Sequence, residues 1–157
     1  MEYFNMKQSD TTPKGQLVLR TLAMPADTNP HGHIFGGWIM SQMDLAGGIL
    51  SKEIARNRVV TVNASSITFH KPAMVGDVVC CYAHCIKTGK TSITIGIEVW
   101  VKKVIDTTDS LKRFCITDAV FTYVSVDKHN NPKPLPEVFQ DYDCTKDGIS
   151  KLNLSNS

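Results

Sequence analysis

The sequence predicts an α+β domain in which an antiparallel five-stranded sheet bends strongly around one long central helix. Three observations point there. Apolar residues recur at helical spacing without a break from Gly36 to about Ala55. Four segments rich in Val, Ile, Thr and aromatic residues follow, at 58–71, 76–88, 90–103 and 111–127. A further strand-like stretch, GQLVLRTL at 15–22, precedes the helix, and short connections suffice to join all six elements.

Residues 1–14 are polar and expected to be disordered. After the first strand, Met24-Pro25 through Pro30 reads as loop, and Gly36-Gly37 as the helix start. Pro72 and Gly76-Asp77 break the first two of the later strands. Thr88-Gly89-Lys90 forms a tight hairpin, and DTTDS (106–110) a longer loop. The segment 90–103 alternates most clearly: Ile93, Ile95, Ile97, Val99 and Val101 share one face, against Ser92, Thr94, Glu98, Trp100 and Lys102 on the other. Beyond Asp127, HNNPKPLPEVFQ and a polar end predict an extended tail that docks on a neighbour or stays mobile. The boundaries are therefore a disordered N-terminus at 1–14, one folded domain at 15–128 and an extended polar tail at 129–157.

At about 100° per residue the helix divides into stripes. Ile39, Met43, Ala46, Leu50 and Ile54 form one apolar stripe, and Trp38, Leu45 and Ile49 form a second on nearly the opposite side. A helix apolar on two sides is expected to be buried on two sides. Between them run Gly37, Ser41, Asp44, Gly48, Ser51 and Ala55, all small apart from Asp44. Gly37 lies seven residues before Asp44, so the carboxylate is expected to look back toward the helix start. Free N–H groups and the positive end of the macrodipole sit there. A carboxylate beside such donors suits a reaction that develops an oxyanion. An Asp hydrogen-bonded to a neighbouring Ser or to backbone for packing specificity is the plainer alternative.

Bulk properties exclude several classes. With 157 residues, 42% hydrophobic and 20% charged, the chain has the profile of one soluble globular domain. A formal net charge of +2 makes no global electrostatic case for nucleic acid or a membrane surface as partner. No apolar stretch approaches the roughly 20 residues of a transmembrane helix, and a cytoplasmic location is the default expectation. The five cysteines, Cys80, Cys81, Cys85, Cys115 and Cys144, contain no CxxC and read as buried reduced thiols. His31 and His33 lack partners at zinc-binding spacing, so no metal is expected.

Three stretches, NPHGHIFGGWIMSQMDLAGGILSKEIA, RVVTVNASSITFHKPAMVGDVV and TSITIGIEVWVKK, closely resemble the YciA-like branch of the hotdog-fold acyl-CoA thioesterases. The resemblance runs from about Gly15 to Val126 and implies a hotdog thioesterase domain over 15–128. It implies that Asp44 is the catalytic aspartate, activating water or attacking directly at the thioester carbonyl. It further implies that the backbone N–H of Gly37 polarises that carbonyl. His33 occupies a position from which relatives reach the site of the partner subunit, commonly with Asn or Asp. Ser65 stands where close relatives are expected to carry an acidic residue. Members of this family pair into double hotdogs with the active sites at the pair interface, and three pairs usually make a hexamer.

Thioester hydrolysis is within reach of these residues. It needs activated water and an oxyanion site, but little leaving-group help, because a thiolate leaves at neutral pH. No GxSxG elbow is present, and no cofactor is required, coenzyme A being part of the substrate. Arg56, Arg58, Lys71, Lys102 and Lys103 are candidate partners for its phosphates. Met40, Met43, Phe69 and Ile34 are the expected lining of an acyl tunnel. The competing readings are a non-catalytic acyl-CoA-binding regulator and a hotdog dehydratase or hydratase relying on His33.

Overall fold

The computed structural model describes residues 12–103 and 112–145. In chain order these form β1 (Gln16–Leu22), α1 (Gly36–Ala55), β2 (Val59–Phe69), β3 (Val78–Thr88), β4 (Ser92–Lys102) and β5 (Arg113–Ser125). Single 3-10 turns occur at Pro25–Asp27 and Glu137–Phe139. The five strands make one antiparallel sheet in the order β1-β3-β4-β5-β2, and α1 touches every strand. This is the hotdog arrangement that the element order predicts. The loop expected at 106–110, residues 1–11 of the expected disordered N-terminus and the tail beyond Thr145 lie outside the described residues.

Burial follows the alternation of β4. Ile93, Ile95, Ile97, Val99 and Val101 turn inward and meet Ile39, Met43, Leu50 and Ile54 of the helix, with Val79, Cys81, Phe121 and Tyr123 from β3 and β5. Each fully buried side chain of this size contributes about 1.5–3 kcal/mol. Trp100, on the opposite face, is also buried, its indole N–H donating to Glu98 Oε2 at 2.8 Å. Cys80, Cys81 and Cys85 are buried free thiols, whereas Cys115 and Cys144 are half-buried.

The second apolar stripe of α1 behaves differently from its expectation of burial. Leu45 is 56% and Ile49 42% exposed in the single chain, because one sheet can cover only one side of a helix. Exposed apolar residues continue onto the edge strand β2, with Val62 at 52%.

Two connections fix the frame. The turn Met74–Asp77 closes through Asp77 N–H to the Met74 carbonyl at 3.1 Å, and Gly76 at its third position has φ +87°, as a type II turn requires. Beyond β5, the stretch expected from 129 as an extended tail that docks on a neighbour or stays mobile packs on the body as far as Thr145. Leu135 and Phe139 are buried in the core cluster. Thr88 donates its side-chain hydroxyl to the Phe139 carbonyl and its N–H to that of Tyr142, and Cys144 N–H reaches the Ile86 carbonyl. The reason lies in PLPEVF: two large apolar residues four apart gain more from burial on the β3–β4 hairpin than from solvent.

Candidate active site

Asp44 sits halfway along α1, half-buried, and its neighbours come from two strands. Thr61 Oγ1 of β2 donates to Asp44 Oδ1 at 2.6 Å, and the Tyr123 hydroxyl of β5 donates to the same oxygen at 3.1 Å. Thr61 and Tyr123 are register partners in the β2–β5 pair, so their side chains leave the sheet on the same face. Two donors converge on Oδ1. Among the described residues no hydrogen-bond donor reaches Oδ2. The carboxylate thus presents one anchored oxygen and one free oxygen, the form a general base or nucleophile needs.

The plainer alternative gave this carboxylate a neighbouring Ser or backbone as its partners. They are Thr61 and Tyr123 instead. Ser65, singled out from the resemblance, is exposed and its hydroxyl lies 3.5 Å from the Val120 carbonyl. The register explains why. Consecutive residues of β5 pair with Thr61 and Asn63, so Val62 bulges out and resets which residues of β2 face the helix.

The helix start is open. Phe35 stands at the N-cap and has no side-chain oxygen to accept the first N–H groups, so those donors are not capped internally. Gly37 is exposed, and a Cβ there would meet nothing within 4 Å. Phe69 lies over Gly36, its Cζ 3.3 Å from where a Cβ would stand. The preceding loop is held by Asn29, whose Oδ1 accepts from the N–H groups of His31 at 2.9 Å and His33 at 3.1 Å. His33 itself is exposed, and no hydrogen bond joins its ring to Asp44 in this chain. Of the four expected tunnel residues, Ile34 and Met43 are shut in the core, while Phe69 is exposed and Met40 half-buried.

The five candidate phosphate partners occupy three separate places. Lys71 and Lys103 approach the Phe114 ring at 4.9 and 6.0 Å, but Lys103 Nζ also holds the buried Asp77 carboxylate at 2.8 and 2.9 Å. Lys102 lies in a cleft of about 270 Å³ with Arg20, Tyr82, Trp100 and Arg113. Arg56, in the left-handed region at φ 51°, and Arg58 close the far end of the helix, over Phe139 at 5.7 Å and on Asn130 Oδ1 at 3.0 Å. Among the described residues no cluster of three or more His, Cys, Asp or Glu could hold a metal ion.

Known proteins resemble this chain in sequence and in fold. The thioesterase superfamily model matches residues 31–106. The acyl-CoA thioester hydrolase YciA of Salmonella typhimurium is 61% identical over 131 residues, which is 83% of this chain and 98% of the relative. A hexameric thioesterase from Yersinia pestis is 64% identical, with a TM-score of 0.73 over 80% of this chain and 98% of its own. A hexameric broad specificity acyl-coenzyme A thioesterase, solved as its Asp44Ala mutant enzyme, is 59% identical, with a TM-score of 0.76 over 79% and 88% of the two chains.

Proposed function

Since the chain belongs to the hotdog-fold acyl-CoA thioester hydrolases of the thioesterase superfamily, we propose that Asp44 drives its hydrolysis of acyl-CoA to free acid and coenzyme A. The observation that carries this is the carboxylate itself, anchored at Oδ1 by Thr61 and Tyr123 and free at Oδ2. In this reading the thioester carbonyl rests at the uncapped helix start, where the Gly37 N–H stabilises the developing oxyanion. Oδ2 takes a proton from water as the oxygen bonds to the carbonyl carbon. The C–S bond then breaks, and the proton goes to the departing thiolate or to solvent. Direct attack by Oδ2 on the carbonyl, followed by hydrolysis of the anhydride, uses the same groups. No cofactor enters either route.

The pairing surface follows from the exposed apolar residues. Leu45 and Ile49 of α1 and Val60 and Val62 of β2 need a cover that one chain does not supply. A second copy placed there makes a double hotdog, in which the exposed His33 of one copy can reach the helix start of the other. Three such pairs make the hexamer. The phosphates of coenzyme A meet cations from the set Arg56, Arg58, Lys71, Lys102 and Lys103. Lys103 is the weakest of these, because drawing it away leaves the buried Asp77 carboxylate unpaired.

The experiment is direct. Purified protein is given a panel of acyl-CoAs of different chain length, and released thiol is followed with a chromogenic reagent. Turnover by the native protein and a loss of at least about a hundredfold in Asp44→Ala are expected. Wild-type rates in the variant would remove Asp44 from the mechanism, and tight binding without turnover by the native protein would favour the regulator.

A further inference from the structure

We propose that Tyr123 is a positioning residue of this hydrolysis: its hydroxyl locks the Asp44 carboxylate in one orientation, and Gly47 is the helix position that admits it. The inference rests on the reading of Asp44 as the reacting carboxylate. Tyr123 is only 1% exposed, and its hydroxyl stands 3.1 Å from Asp44 Oδ1 and 3.1 Å from the Asp44 carbonyl. One phenolic proton cannot serve both acceptors fully, and the charged carboxylate is the stronger of the two. The ring reaches the helix only because position 47 has no side chain. A Cβ there would lie 2.3 Å from the Tyr123 hydroxyl, 2.9 Å from its Cε2 and 2.8 Å from Ile97 Cδ1. Glycine in mid-helix costs about 1 kcal/mol relative to alanine. A tyrosine serving only as core filler could pack on alanine from slightly further out. Here the chain gives up helix propensity at the one place that brings a hydroxyl onto the reacting group.

The surroundings make that hydroxyl a dependable donor. Burial, then the negative charge of Asp44 and the hydrogen bond to it, raise the Tyr123 pKa, so its proton stays in place across the working pH range. The side chains that reach Asp44 are Thr61 from β2 and Tyr123 from β5, while Ile97 of β4 lies against position 47. Tyr123 is the titratable group among these three.

Tyr123→Phe keeps the ring and removes the hydroxyl, and it is compared with Asp44→Asn on the same acyl-CoA. The expected result is a kcat lower by about tenfold with KM within about twofold. Gly47→Ala, where it folds, gives the same fall in kcat and adds none to Tyr123→Phe. An unchanged kcat, or a loss that appears in KM rather than kcat, overturns the positioning role. Inactive Asp44→Asn beside an unaffected Tyr123→Phe removes Tyr123 alone, whereas active Asp44→Asn removes the reading of Asp44 with it.

Discussion

His84 shows how closely one side chain can be tied to the backbone beside it. It lies flat on Gly96, its register partner on β4, where a Cβ would fall 2.4 Å from the imidazole Cε1. Its Nδ1 is buried and has no hydrogen-bond partner among the described residues. Burial holds the His84 pKa below the ordinary 6.5, outweighing the upward pull of Glu98, and Lys14 adds a smaller downward push. Below pH 6.5 the unfolded chain therefore binds a proton here that the folded chain resists. Stability attributable to this residue is present above that pH and is lost on acidification. Melting temperatures at about pH 7.5 and 5.5 check this: the fall between them is expected to be smaller in His84→Gln than in the native protein. The contrast with Asp44 is instructive. Asp44 accepts from two hydroxyls, whereas among the described residues His84 Nδ1 meets no acceptor for the proton it would carry when charged.

At the level of elements, α1 is held at both ends by different means. Its start is left uncapped, whereas its end is clamped: Arg56 turns left-handed, its N–H donating to the Lys52 carbonyl, and Asn57 Nδ2 donates to Ser125 Oγ and the Val126 carbonyl. The segment after β5 adds to that clamp through Phe139, which underlies Arg56. Phe139→Ala removes a buried ring and is expected to cost about 3 kcal/mol, a Tm drop on the order of 10 °C, read by calorimetry. Position 44 lies about 18 Å along the helix from Arg56 at 1.5 Å per residue, so kcat at a temperature where the variant is folded should stay within about twofold of the native value. The open and closed ends divide the labour of the helix between reaction and stability.

For the whole molecule, the uncovered apolar surface is the decisive feature. Leu45 and Ile49 lie on the face of α1 away from the sheet core, and Val60 and Val62 lie on an edge strand. An edge strand of this kind is a template for pairing. Leu45→Glu with Ile49→Glu places charges where the proposed pair interface excludes water. The expected outcome by sedimentation or light scattering is a smaller species, with thioesterase activity lost alongside if, as proposed, the site draws on both copies. A hexamer that survives both substitutions would place the interface elsewhere.

Much of this protein was legible before its coordinates. Periodicity alone placed α1 at its observed ends and all five strands to within three residues, because helical and pleated repeats are local properties of the chain. The same repeat picked out Asp44 as the one ionisable residue on a stripe of small ones. Three things came only from the tertiary structure. Thr61 and Tyr123 are 62 residues apart in sequence and meet through strand register, which the bulge at Val62 resets and which no local pattern encodes. The segment from 129 to 145 reads as polar when averaged along the chain, yet Leu135 and Phe139 find a hairpin to pack on, a gain visible only once that hairpin exists. The second apolar stripe of α1 was expected to be buried, but one sheet has one inner face and leaves Leu45 and Ile49 exposed. The sequence by itself determined the elements and singled out the carboxylate proposed to react; the partners that hold that carboxylate, and the surface left for another copy, were decided by which residues one sheet could bring to the same side.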